Sequence, residues 1–132
     1  MTILLVDDSP DQQALLRAIL SKAGHADVIS ADSARDAAAV LNLTGESASQ
    51  RIDLILMDVM LPGVDGGTAI RRLKSDPETS EIPIVAMSAG RTIRRQSEDL
   101  AEADAALSKP FDIDALLAQV EFHLSRRRSD VS

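Results

Sequence analysis

Cysteine is absent from the 132 residues. That excludes disulfides, thiolate metal sites and thiol nucleophiles together. Tryptophan and tyrosine are absent too, which leaves Phe111 and Phe122 as the aromatic side chains. A core must therefore be built from Leu, Ile, Val, Ala and Met. Positive charge is scarce: 14 Lys and Arg against 21 Asp and Glu leave a net charge of −7. That balance argues against direct nucleic-acid binding, which calls for a basic patch. No apolar run approaches the ~18 residues that a membrane span needs. Met1-Thr2 leads straight into an apolar run with no basic stretch before it, so no signal peptide is expected. What is present is 45% hydrophobic residues. That excludes wholesale disorder and suits one domain of ordinary size.

Short apolar runs alternate with longer helical stretches. Ile3 to Val6, Leu54 to Met57 and Ile84 to Met87 are continuous apolar runs, as expected of strands buried on both faces. Asp27 to Ala31 and Ala105 to Leu107 are weaker candidates for a second and a fifth strand. After the first strand, Ser9 reads as an N-cap, Pro10 suits the first helical position and Gln12 completes a capping box. Leu15, Leu16, Ile19, Leu20 and Ala23 form that helix's apolar face, and Gly24 ends it. Further helices are expected over 34–41, from the turn-rich 61–67 to about Lys74, and over 92–102. The last begins at an Asp112 cap and carries Ile113, Leu116, Leu117, Val120 and Leu124. Residues 42–51 have no periodicity and read as a long loop. Five strand-helix units of this length predict a flavodoxin-like, doubly wound (βα)5 domain. Its five-stranded parallel sheet has order 2-1-3-4-5.

In such a sheet ligands bind beyond the carboxyl ends of the strands. Asp7 and Asp8 follow strand 1, Asp58 follows strand 3, Ser88 and Ala89 end strand 4, and Lys109-Pro110 ends strand 5. Taken singly, each has a bland reading as a helix-start acid or a turn former. Their joint placement at one sheet edge does not. Three converging carboxylates call for a cation, and oxygen ligands without His or Cys favour a hard ion such as Mg²⁺. A hydroxyl and an ammonium beside them complete a constellation suited to phosphoryl groups, with a carboxylate as the candidate nucleophile.

Four segments carry a resemblance: 3–8, 54–66, 84–89 and 107–111. In order and spacing they resemble the receiver domain of bacterial response regulators, the cytoplasmic phosphoacceptor half of two-component signalling. The resemblance covers about residues 1–125, with 126–132 left as a basic tail or the start of a linker. It implies that Asp58 accepts a phosphoryl group from a histidine kinase or histidine phosphotransferase. It makes Asp8 a direct Mg²⁺ ligand, Asp7 a ligand through water and Met60 a ligand through its backbone carbonyl, with Mn²⁺ an accepted substitute. Lys109 would bridge an acid and the phosphoryl oxygens, Ser88 would hydrogen-bond the phosphoryl group, and small Ala89 would leave room for it. Output would be a changed binding surface toward a downstream protein or fused output domain, with homodimerisation one route.

The chain departs from the family at Ala106, where Tyr or Phe often stands, and at Glu102, where Gly is common. Ring gating through residue 106 is therefore excluded. Three other functions compete. A receiver reduced to a docking module would not need the full set of acids, Ser88 and Lys109. An aspartate-nucleophile phosphatase would want an acid where Met60 stands. A flavin protein of the same fold would want stacking aromatics. His25 and His123 lie away from the acids in sequence and read as surface residues.

Overall fold

The computed structural model describes residues 2–25, 27–33, 52–58, 66–75, 82–89, 104–109 and 112–131. Five strands form one sheet: β1 (Thr2–Val6), β2 (Val28–Ala31), β3 (Ile52–Asp58), β4 (Ile84–Ala89) and β5 (Ala105–Lys109). Their order is β2-β1-β3-β4-β5 and every pairing is parallel. The described helices are α1 (Pro10–Lys22), α2 (Gly66–Ser75) and α3 (Ile113–Val131). The expected α/β architecture and strand order are those observed. The helices expected over 34–41 and 92–102, the loop 42–51, and Met60, Pro110 and Phe111 lie outside the described residues.

The central strands are apolar over Ile3–Val6, Leu54–Met57 and Ile84–Met87 because both faces are covered there. Successive side chains point to opposite faces. Leu4, Val6, Ile55, Met57, Ile84 and Ala86 pack with Ile70 of α2 on one side. Ile3, Leu5, Leu54, Leu56, Val85 and Met87 meet Leu16 and Leu20 of α1 and Leu116, Val120 and Leu124 of α3 on the other. Each fully buried Leu or Ile contributes roughly 1.5–3 kcal/mol relative to exposure. An aliphatic core thus suffices without aromatic rings.

Local chemistry sets the helix ends. Ser9 caps α1 by accepting a 3.3 Å bond from the Gln12 N–H. The other half of the expected capping box differs: the Ser9 N–H donates to Asp7 Oδ1 at 2.9 Å. At the C-terminus, Gly24 N–H donates to Ser21 and His25 N–H to Leu20. That is a Schellman motif, and it places Gly24 at φ +97°, which glycine tolerates. Asp112 caps α3 through the Asp114 N–H at 3.1 Å.

Some expectations are corrected. Leu15 and Ile113 are about half exposed; the buried stripes run through Leu16 and Leu20, and through Leu116, Val120 and Leu124. Leu15 is turned about 100° from Leu16 around the helix, whereas Ile113 keeps the stripe's spacing and is exposed as the first residue of α3. His123 is buried, not on the surface. Helix α3 runs on through the basic segment at 126–128 to Val131. Arg126 stacks over the exposed Phe122 ring at 5.6 Å, covering part of it.

Candidate functional site

The site is built at the ends of four adjacent parallel strands, β1, β3, β4 and β5. Val6 of β1 lies beside Met57 of β3 in register, so Asp7 and Asp58 leave the sheet level with one another. Asp7 is fully buried, Asp58 is 5% exposed and Asp8 is exposed. One carboxylate oxygen from each of Asp7, Asp8 and Asp58 lies within 4.8 Å of the other two. Like charges at about 4 Å repel by ~4 kcal/mol per pair at an effective dielectric of 20. This donor set, oxygens only and all acidic, matches what a hard divalent cation requires.

Two devices hold the acids in place. The Asp7 N–H donates to the Ala31 carbonyl at 3.0 Å, continuing the β1–β2 ladder past the strand end. The first turns of α1 then seize Asp7. Ser9 N–H bonds its carboxylate, and the Gln13 side-chain amide bonds its backbone carbonyl. The Gln13 amide also reaches the Ala31 carbonyl at 3.3 Å.

The other expected residues come to the same edge by register. Met87 of β4 pairs with Asp58, so Ser88 and Ala89 lie beyond it. Ser88 pairs with Ser108 and Ala89 with Lys109, the last residue of β5. The backbone therefore brings Asp7, Asp8, Asp58, Ser88, Ala89 and Lys109 to one end of the sheet. Ala106 pairs with Ala86, three positions before Lys109. Gln13 was not among the expected site residues. Its sequence signal is weak: an amide one turn into the helix that follows the acids.

The opposite end of the sheet also escaped sequence reasoning. Lys74 of α2 donates to Asp104 at 2.8 Å and to the Ile82 carbonyl at 2.9 Å. The same Asp104 oxygen accepts from the Ile84 N–H at 2.8 Å, and Asp104 N–H returns a bond to the Ile84 carbonyl. His25 and Glu121 meet there at 2.6 Å. Among the described residues, the buried Nε2 of the neighbouring His123 ring has no hydrogen-bond partner. Burial holds its pKa below the usual 6.5; Asp104 opposes that shift, while Arg126 and Lys74 reinforce it.

Comparison with known proteins decides the family. The model of the response regulator receiver domain matches residues 3–121. The chain belongs to the response regulator receiver family. This receiver is 35% identical over 123 residues to protein PilH of Pseudomonas aeruginosa, covering 89% of the chain and 93% of PilH. It is 35% identical over 127 residues to the DNA-binding dual master transcriptional regulator RpaA of Synechocystis, covering 94% of the chain. It spans only about half of RpaA, 49% of its length. Among solved structures, it resembles the receiver domain of a sensor histidine kinase from Pseudomonas aeruginosa. That match has a TM-score of 0.76 and 27% identity over 94% of this chain and 97% of the other. The neighbour has a magnesium ion coordinated in its active site cleft. Receiver domains are signalling modules of two-component systems. No described helix of this one is long and apolar enough to cross a membrane.

Proposed function

We propose that this receiver accepts a phosphoryl group on Asp58 from a phosphohistidine of a sensor kinase or phosphotransferase, in a Mg²⁺-dependent step. The observation that carries this reading is the clustering of Asp7, Asp8 and Asp58 oxygens within 4.8 Å at the carboxyl edge of the sheet. Asp7, Asp8, Asp58 and the Met60 carbonyl would hold the cation. When bound, it supplies positive charge against that of the transferred group.

The chain's own residues do the rest. An Asp58 carboxylate oxygen attacks phosphorus as the phosphorus–nitrogen bond breaks, and the leaving imidazole takes up a proton. The buried setting of Asp58, 5% exposed at a strand end, keeps the nucleophile positioned. Lys109 supplies a point charge to the phosphoryl oxygens. Ser88 donates a hydrogen bond, and Ala89 leaves space. The new charge at Asp58 shifts the balance between two surface states by recruiting Ser88 and Lys109. The receiver unit is residues 1–125. Its output is contact with a downstream protein, a fused output domain or a second copy in the bacterial cytoplasm. With Ala106 in β5, no ring at that position can report the switch.

The test is incubation with a small phosphodonor and Mg²⁺, followed by intact mass. Wild type gains one phosphoryl group, whereas Asp58→Asn and chelator-treated wild type gain none. Equal labelling of Asp58→Asn would refute the assignment. Absence of labelling in wild type, from small donors and from phosphorylated kinases alike, would favour a docking module.

A further inference from the structure

We propose that Gln13 is a positioning residue for the acid pair, orienting the peptide that joins Asp7 to Asp8. The inference rests on the cation-dependent reading of the site and adds a residue to it.

The Asp7 carbonyl oxygen belongs to the peptide unit whose nitrogen is that of Asp8. Holding this oxygen fixes the plane from which the Asp8 Cα departs, because the peptide is rigid. The Gln13 Nε2 donates to that oxygen and lies 3.3 Å from the Ala31 carbonyl. An amide NH₂ carries two hydrogens, so one side chain can serve both carbonyls. A hydroxyl would serve one, and a carboxylate or thioether none. With two carbonyl oxygens in reach, the amide must present its nitrogen to them.

Gln13 is itself held. Its N–H donates to the Ser9 carbonyl at 3.0 Å, while the Ser9 N–H donates to Asp7 Oδ1 at 2.9 Å. The bonds close a loop from Asp7 to Ser9 to Gln13 and back to Asp7. The first turns of α1 thus grip Asp7 at both carboxylate and carbonyl. Asp8 is exposed and receives its direction from the peptide before it. Groups that orient metal ligands typically contribute ten- to a hundredfold to affinity.

Arg17 provides the control. It leaves the same helix to tether the same strand, with Nε on Ser30 Oγ at 2.8 Å and Nη2 on the Val28 carbonyl at 3.0 Å. It does not bond Asp7. A general loosening of β2 against α1 would therefore follow from either substitution, but a changed acid pair only from one.

The experiment compares wild type, Gln13→Met and Arg17→Met. Mn²⁺ binding is followed by the paramagnetic resonance of the free ion, and Asp8 amide exchange is followed in metal-free protein. Gln13→Met should weaken Mn²⁺ binding roughly tenfold and speed Asp8 amide exchange, with Arg17→Met near wild type in both. Equal loss in both variants, or unchanged Asp8 exchange in Gln13→Met, would overturn the proposal. If wild type binds no Mn²⁺, the cation reading fails. Gln13 then stands or falls as the peptide's anchor on Asp8 exchange alone.

Discussion

The two edges of the sheet handle charge in opposite ways. At the carboxyl edge, three acids lie with oxygens inside 4.8 Å, and two of them are buried. At the amino edge, Asp104 meets Lys74 at 2.8 Å and takes the Ile84 N–H as well. The second arrangement lowers the free energy of the fold by itself. Opposite charges meet, and the N–H of a buried strand residue gains an acceptor. The first brings like charges together, and the repulsion among the three carboxylates works against the fold. Such an all-oxygen, all-acidic donor set is what a hard divalent cation takes. The difference separates an ion pair from a cluster of like charges, although both are built from aspartates at strand ends.

The comparison makes opposite-signed predictions for loss of a single negative charge. Asp104→Ala should destabilise the fold by about 2 kcal/mol, because the Lys74 bond is lost and the Ile84 N–H loses its acceptor. Asp8→Asn, measured in chelator at low salt, should stabilise it by about 1 kcal/mol through relief of repulsion. Denaturant melts of both variants measure the pair, and equal signs would erase the distinction between the edges.

A smaller effect sharpens the amino edge. His123 has a pKa below 6.5 in the fold, chiefly from burial, with Asp104 opposing and Arg126 and Lys74 reinforcing. Between its native value and 6.5 the unfolded chain binds more protons. Stability is therefore lost as pH falls below 6.5 and is retained above it. His123→Leu removes the titrating ring and should flatten that part of the stability–pH curve. An unchanged slope from neutral to mildly acidic pH would count against a buried neutral imidazole.

The parts of this fold legible in sequence are those where chemistry is local or continuous. Ile3 to Val6 and Leu54 to Met57 read as doubly buried strands because no polar residue interrupts them, and the acids mark the ends of those runs. The first helix announces its start through Ser9-Pro10 and its end through Gly24. What stayed hidden depends on tertiary neighbours. Leu15 and Leu16 are equally apolar, and only the packed sheet decides which one is buried. Lys74 and Asp104 are 30 positions apart. Gln13 acts through two carbonyls, and carbonyls carry no sequence signature.

The central claim is that the carboxyl edge is a phosphoacceptor site centred on Asp58. Borohydride reduction of phosphodonor-treated protein, followed by peptide mapping, tests it most directly, because reduction converts an acyl phosphate on aspartate to homoserine. The account predicts homoserine at position 58 only, dependent on Mg²⁺ and absent after chelation. Homoserine at position 7, 8 or 104, or at position 58 in chelator to the same extent, would contradict it.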